Sequence, residues 1–100
     1  MFIGYVPLNG TAFFLMSVVD TNGSPAAPDS LPTFRVYGSD SATPKATGTV
    51  STFDATNLDY VYKGSFTVSG AFARSGNYQI VANWGVGLQP RQQVFSFSVY

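Results

Sequence analysis

The side chains best suited to hold a cation lie close together at one place in the chain. Asp54, Asn57 and Asp59 fall within six residues, and carboxylate and amide oxygens are the ligands that calcium prefers. Their spacing does not match the calcium loop of an EF-hand, and such residues also form turns by bonding to their own backbone. We therefore interpret this segment as a turn. Asp20 with Asn22-Gly23 poses the same alternative, and an Asn-Gly dipeptide favours a hairpin turn.

Catalytic chemistry is limited by the residue types that are absent. The chain has no Cys, no His and no Glu, which removes the thiolate nucleophile, the usual general base and the commonest transition-metal ligand. A Ser–Lys pair remains conceivable. However, Lys63 is expected on an outward face and Lys45 on an edge strand, where neither is desolvated enough to act as a base. We expect no enzyme activity, no catalytic residue, no cofactor and no bound metal.

Three short motifs invite functional interpretations that turns explain equally well. Asn9-Gly10-Thr11 and Asn22-Gly23-Ser24 match the N-glycosylation acceptor pattern. Asn-Gly is also the preferred dipeptide of type I′ hairpins, so we predict turns at both places. Gly85-Val86-Gly87 resembles part of a phosphate-binding loop, but neither a third glycine nor a helical pattern follows it. It is interpreted as a hairpin loop.

Composition argues against several classes of partner. Charged residues make up 10% of the 100 residues, against about 25% in an ordinary soluble domain. Five cations and five acids cancel, which argues against nucleic acid, because several phosphates must be neutralised together. A surface with so little charge repulsion favours association with other proteins.

The uncharged N-terminal stretch is not expected to be a signal peptide or a membrane span. No cation precedes Arg35, whereas a secretory signal begins with positive charge. Pro7, Asn9 and Gly10 interrupt the apolar residues well before the roughly 20 that a membrane helix needs. We predict a pair of strands joined by a turn at Asn9-Gly10.

Turn signals at near-regular spacing, with apolar and polar residues alternating between them, predict an all-β sandwich. We expect one domain over residues 1–100 with about seven antiparallel strands. Their predicted ranges are 2–8, 11–20, 33–38, 45–53, 60–69, 77–84 and 91–100. The Thr-rich fourth strand is the expected edge. The connection before the sixth strand could hold one helical turn at residues 71–74.

The start of the sixth strand resembles a known motif of immunoglobulin-like domains. Gly76-Asn77-Tyr78 is similar to the Gly-x-Tyr of a tyrosine corner, whose hydroxyl bonds back to the backbone. Ile80 stands where antibody domains place a disulfide cysteine, and Trp84 lies on the sixth strand instead of the third. The chain therefore departs from antibody domains while resembling the wider immunoglobulin-like sandwich.

Most of the chain also resembles the small immunoglobulin-like virion proteins of tailed bacteriophages. The resemblance is carried by Ser17-Val-Val-Asp-Thr-Asn-Gly23, by Pro32-Thr-Phe-Arg-Val-Tyr37 and by the ending Gln93-Val-Phe-Ser-Phe-Ser-Val-Tyr100. These motifs are structural. The resemblance implies a protein that decorates capsids or builds head fibres, tails or baseplates, located in the virion and assembled in the host cytoplasm. It brings no catalytic residues.

The predicted second strand is apolar on both faces. Ala12, Phe14, Met16 and Val18 fill one face, and Phe13, Leu15 and Val19 occupy the other, whereas a sandwich buries only one. Either the proline-rich segment of residues 24–32 or a neighbouring loop covers the outer face, or another subunit does. Outward aromatic and aliphatic residues extend the second interpretation. The predicted protein-interface residues are Tyr5, Phe13, Leu15, Tyr37, Val94 and Tyr100.

Two classes of function remain open. The first is a non-enzymatic structural protein of a bacteriophage particle, most simply a capsid decoration or head-fibre component, with a tail or baseplate component as its variant. Its partners would be other virion proteins or copies of itself, with no nucleic acid and no membrane. The second is a carbohydrate-binding module that stacks sugar rings on aromatic side chains, for which the candidates are Tyr37, Tyr60, Tyr62 and Trp84. Against it, Tyr62 and Trp84 are predicted to face the core.

Overall fold

The computed structural model describes residues 1–38, 42–53, 60–70 and 72–100. Eight strands in these residues form two sheets that pack face to face as a sandwich. The strands are β1 (Phe2–Val6), β2 (Thr11–Ser17), β3 (Thr33–Gly38), β4 (Ala46–Thr49), β5 (Ser51–Thr52), β6 (Val61–Thr67), β7 (Asn77–Val86) and β8 (Gln89–Val99). The all-β prediction is confirmed.

The larger sheet has the strand order β1-β8-β7-β3-β4, and the smaller has β2-β6-β5. Of the strand pairs in the described residues, β1 and β8 alone are parallel. The prediction that every strand is antiparallel is therefore wrong at β1. The expected pairing of the first two strands is also wrong, because they belong to different sheets.

The turn after β1 explains why no hairpin forms there. The N–H of Gly10 donates to the carbonyl of Pro7 at 2.8 Å, and Asn9 has a φ of 70°. A type I′ hairpin needs a positive φ at both central residues, and Gly10 has none. With Asn9 in the third position, as in a type II turn, the chain crosses from the larger sheet to the smaller one.

The predicted fourth strand is divided between the two sheets. β4 pairs with β3 in the larger sheet, and β5 pairs with β6 in the smaller one. Val50 lies between them, buried, and its N–H donates to the carbonyl of Pro32 at 3.1 Å. The buried side chain fixes the point at which the strand changes sheets. β4 is an edge strand, as predicted.

The core is built from aromatic rings that fill the space above two glycines. Phe14 of β2 lies opposite Gly64 of β6, and Phe34 of β3 lies opposite Gly48 of β4. The rings of Phe14 and Phe34 then meet edge to face, with centroids 5.1 Å apart. Each glycine leaves the room that a neighbouring ring occupies. Within the described residues the core contains no buried polar side chain.

The predicted tyrosine hydrogen bond is present at the start of β7. The backbone N–H of Ala73 donates to Tyr78 Oη at 2.7 Å. A Cβ at Gly76 would lie 2.7 Å from the Tyr78 ring, which explains why glycine precedes the tyrosine by two positions. The possible helical turn begins at Ala71, outside the described residues. Residues 72–76 instead include a turn closed by the N–H of Gly76 and the carbonyl of Ala73.

The proline-rich segment is fixed to the tip of the β7–β8 hairpin. The carboxylate of Asp29 accepts hydrogen bonds from the N–H groups of Gly87 and Leu88 at 3.0 and 2.8 Å. Both turn residues have positive φ, 58° and 66°, which confirms a hairpin turn in place of a phosphate loop. In the described part of the chain, no helix is long and apolar enough to cross a bilayer.

Candidate functional site

The outer side of the smaller sheet carries several exposed apolar side chains. We call the side chains of Phe13, Leu15, Phe53 and Val61 the apolar face. Phe13 is 57% exposed, Leu15 49% and Phe53 47%, and Val61 is half-buried. Hydrophobic residues that adjoin one another in solvent commonly mark a surface that another protein covers.

The strand register places these four side chains together. In β2, Ala12, Phe14 and Met16 are buried in the core, so the alternation of a strand sends Phe13 and Leu15 to the opposite side. Val61 lies on β6 opposite Ser17, and Phe53, which follows β5, donates its N–H to the Val61 carbonyl at 3.1 Å. The apolar face therefore spans all three strands of this sheet.

One cation lies within the apolar face. Lys63 of β6 is directly opposite Leu15, and its Nζ lies 5.6 Å from the centroid of the Phe13 ring. An ammonium group over a ring face is attracted by the ring quadrupole, and its aliphatic stem covers apolar surface. Lys63 thus partly covers Phe13 without hiding it.

The covering of this face by the proline-rich segment does not occur. The segment leaves β2 through a bridge between Val19 and Pro25 and continues to Asp29 at the β7–β8 turn. Phe13 and Leu15 stay exposed to solvent in the part of the chain that the structure describes. The proline-rich segment therefore does not cover these two residues. Residues 54–59, which connect β5 to β6, lie outside the described residues, so covering by a neighbouring loop stays a prediction.

The six predicted interface residues are divided between the two sheets. Phe13 and Leu15 are adjacent in the smaller sheet, whereas Tyr5, Tyr37, Val94 and Tyr100 belong to the larger one. Five of the six are exposed, and Tyr37 is half-buried. Their interface role stays a prediction. Phe53 and Val61 were not predicted, although their period-two spacing from Ser51 and Lys63 places them on the outer side.

The outer side of the larger sheet carries a row of four residues on four adjacent strands. Phe2, Ser96, Gln79 and Tyr37 are cross-strand partners in that order. A hollow of about 420 Å³ lies beside them, lined by Gly38, Asn77, Tyr78, Gln79 and Ser96. We call this hollow, together with Phe2 and Tyr37 at the ends of the row, the polar groove. The lining of the hollow offers amide and hydroxyl groups.

The aromatic residues first considered for sugar stacking do not form one site. Tyr62 and Trp84 are buried in the core, as their inward register predicted. The Trp84 Nε1–H donates to the Val19 carbonyl at 3.3 Å, so its polar atom is also engaged. Tyr60 is exposed beside the smaller sheet. Tyr37 alone of the four lies at the polar groove.

Only one of the two candidate cation sites lies within the described residues. Asp20 Oδ1 accepts hydrogen bonds from the N–H groups of Asn22 and Ser24 at 2.8 and 3.1 Å. This carboxylate therefore closes a turn, as predicted. Asp54, Asn57 and Asp59 lie outside the described residues.

No family model matches the chain, and searches of curated proteins and of solved structures also give no match.

Proposed function

We propose that this protein is a non-enzymatic structural component of a bacteriophage particle, a capsid decoration or head-fibre protein that acts by packing against other proteins. The apolar face is the observation that carries the proposal. It combines exposed Phe13, Leu15 and Phe53 with a chain of zero net charge. Exposed apolar patches commonly mark surfaces that another protein covers, and a chain without net charge favours association.

An immunoglobulin-like identity for the sandwich is part of the same proposal. In that fold, strands G, F and C form one sheet and strands B, E and D belong to the other. The orders β8-β7-β3 and β2-β6-β5 correspond to these two sets. The hydroxyl of Tyr78 at the start of β7, in the position of strand F, adds the hydrogen bond expected of a tyrosine corner.

The proposal is tested by locating the protein in purified particles. Mass spectrometry of particles from the phage that encodes the chain should find it in stoichiometric amounts, and antibody labelling in the electron microscope should place it on the head. Labelling of the tail would favour the tail or baseplate variant. Absence from purified particles would overturn the proposal.

A substitution on each sheet tests whether the apolar face makes the contact. Particles produced without this protein are incubated with purified wild type, Phe13→Asp or the matched control Val81→Asp. We expect Phe13→Asp to weaken binding at least about tenfold, because a charge replaces an apolar contact residue. Val81 lies on the larger sheet opposite Arg35 and is not a predicted interface residue, so Val81→Asp should bind like the wild type. Equal binding of all three proteins would exclude the apolar face.

The polar groove supports carbohydrate binding as a second candidate function. Asn77, Gln79 and Ser96 are neutral hydrogen-bonding groups, and Phe2 and Tyr37 stand at the two ends of the row. Three strand spacings put the α-carbons of these two residues about 14 Å apart. Aromatic faces beside amide and hydroxyl groups suit a neutral sugar, whose rings have apolar faces and polar edges.

Titration calorimetry against neutral oligosaccharides tests this candidate. We expect saturable binding that Gln79→Ala weakens at least about tenfold, because a bound hydroxyl would lose its partner. Phe13→Ala, on the opposite sheet, should leave binding unchanged. Binding that is insensitive to Gln79→Ala, or no binding to any neutral sugar offered, would eliminate the second candidate.

A further inference from the structure

Strand β2 has an unpaired edge, and its pairing with β6 shows which backbone N–H and carbonyl groups point towards that edge. Within the described residues it pairs with β6 alone. The N–H of Val18 donates to Tyr60, and the carbonyl of Gly10 accepts from Val68. The even-numbered residues of β2 therefore form the hydrogen-bonded pairs with β6, since such pairs alternate along an antiparallel ladder. It follows that the N–H and carbonyl groups of Thr11, Phe13, Leu15 and Ser17 point away from β6, towards the open edge.

The other sheet edges are protected, and β2 is not. β1 carries Gly4 at a φ of 121° and a shift of register against β8. β4 has four residues and follows Lys45, and β5 has only two residues. Short strands, irregularities and flanking lysines are the usual protection of exposed edges. β2 has seven residues in continuous register, Thr-Ala-Phe-Phe-Leu-Met-Ser, without charge, proline or bulge.

We propose that β2 pairs with β2 of a second copy of this chain, antiparallel, about a two-fold axis at Phe14. A strand edge is satisfied by another strand, and this register uses all seven residues. It places Phe13 opposite Leu15 of the second copy and Thr11 opposite Ser17 of the second copy, each twice. Apolar residues meet apolar residues and hydroxyls meet hydroxyls, which are favourable cross-strand pairs. The two small sheets become one six-stranded sheet, and the two apolar faces become continuous.

The charges of the two copies permit this pairing. β2 contributes none, and the nearest cation is Lys63 on β6, opposite Leu15. In the paired sheet the two β2 strands separate Lys63 from Lys63 of the second copy by three strand spacings, about 14 Å. This exceeds the Debye length of about 8 Å at physiological ionic strength. Their repulsion is therefore largely screened.

Cysteine cross-linking tests the register directly, because the chain has no cysteine of its own. Hydrogen-bonded cross-strand pairs have α-carbons about 5.5 Å apart, within the range that a disulfide bridges. An equal mixture of Phe13→Cys and Leu15→Cys should therefore give a cross-linked dimer under mild oxidation. Each variant alone should cross-link at least about tenfold more slowly, because its cysteines would be diagonal neighbours, more than about 7 Å apart at their α-carbons. A mixture that cross-links no faster than the single variants overturns this pairing.

Self-association in solution gives a second, independent measurement. In the monomer, Leu15→Glu places a carboxylate opposite Lys63. In the proposed dimer, the same carboxylate also lies opposite Phe13 of the second copy. The matched control is Val81→Glu, which places a carboxylate opposite Arg35 on the larger sheet. Sedimentation velocity should show that Leu15→Glu weakens self-association at least about tenfold and that Val81→Glu does not. Equal effects, or a wild type that stays monomeric, overturn the pairing.

The self-pairing rests on the proposed structural role and names its partner, yet the two can fail separately. If the protein is found on particles but shows neither the mixed cross-link nor self-association, the self-pairing is wrong and the structural role stands. If it self-associates in the predicted register but is absent from particles, the structural role is wrong and the pairing stands.

Discussion

The two outer sides of the sandwich differ in the chemistry that they expose. The larger sheet presents neutral polar groups at its centre, among them Asn77, Gln79 and Ser96. The smaller sheet presents Phe13, Leu15, Phe53 and Val61, with Lys63 as the one cation on that side in the described residues. Both sides are nearly uncharged. On the larger sheet the exposed Phe2, Tyr5 and Val94 stand beside these polar groups, whereas Phe13, Leu15 and Phe53 dominate the exposed side of the smaller sheet.

The exposed and the buried side chains of β2 are expected to affect different properties, association and stability. Phe13 and Leu15 are largely exposed in the folded chain and also in the unfolded chain, so their substitution should change the free energy of unfolding little. The inward residues of the same strand, such as Phe14 and Met16, are nearly inaccessible. Substitutions inside should therefore change stability, and substitutions on the apolar face should change how copies and partners assemble.

The largest expected effect concerns the glycines beneath the core rings, one in each sheet. A Cβ at Gly64 would lie 2.2 Å from Phe14 Cζ, and a Cβ at Gly48 would lie 2.6 Å from Phe34 Cζ. Gly64 is on the central strand of the smaller sheet, while Gly48 is on the edge strand β4, which has a neighbour on one side only. We expect Gly64→Ala to lower the free energy of unfolding by about 3 kcal/mol and Gly48→Ala by about 1 kcal/mol. Urea denaturation followed by Trp84 fluorescence measures both.

Gly70→Ala is the matched control, because a Cβ there meets no atom within 4 Å. It should change the urea midpoint little. If Gly64→Ala were as mild as this control, the smaller sheet would be less tightly packed than the ring contacts imply. The contrast between a tightly packed core and an exposed apolar face would then be lost.

The alternation of residues predicted most of the fold. Residues 33–38 were predicted as a strand with the observed boundaries, and the inward sides of β7 and β8 were assigned correctly. These strands have one apolar side, so period two fixes their register. The change of sheet at Val50 was not predictable in the same way. Residues 45–53 alternate without interruption, and only the tertiary position of Val50 shows that the strand divides there.

The candidate site was predicted only in part, because the pattern along one strand does not show which sheet that strand joins. The surplus of apolar residues in β2 identified Phe13 and Leu15 from the sequence alone. Tyr5 was predicted with them as a further outward aromatic residue, but that pattern does not reveal which sheet a strand joins. The parallel pairing of β1 with β8 connects the two ends of the chain. Such long-range pairing depends on the whole fold, so the polar groove beside Phe2 was not predicted.

An intermediate loss of stability is expected when the proline-rich segment loses its contact with the β7–β8 turn. Asp29 holds the proline-rich segment on the β7–β8 turn through two hydrogen bonds to backbone N–H groups. Asp29→Ala should lower the free energy of unfolding by about 1–2 kcal/mol, because both donors lose a charged acceptor. Asp29→Asn, which keeps one acceptor oxygen, should lose less. Thermal unfolding of the three proteins measures the difference, and an unchanged midpoint for Asp29→Ala would show that the segment is held by other contacts.

The smallest expected effect tests whether Lys63 protects the apolar face. Its ammonium lies 5.6 Å from the Phe13 ring centroid, and an exposed contact of this kind contributes about 0.5 kcal/mol. A double-mutant cycle with Lys63→Met and Phe13→Leu measures that coupling from urea denaturation.

The same Lys63→Met variant should self-associate slightly more strongly than the wild type, because it removes the weak repulsion that screening leaves between the two Lys63 side chains of a pair. Lys45→Met, at the edge of the larger sheet, is the control and should leave self-association unchanged. If Lys63→Met associated more weakly, Lys63 would itself contact the partner, and the charge would be part of the interface instead of a barrier to it.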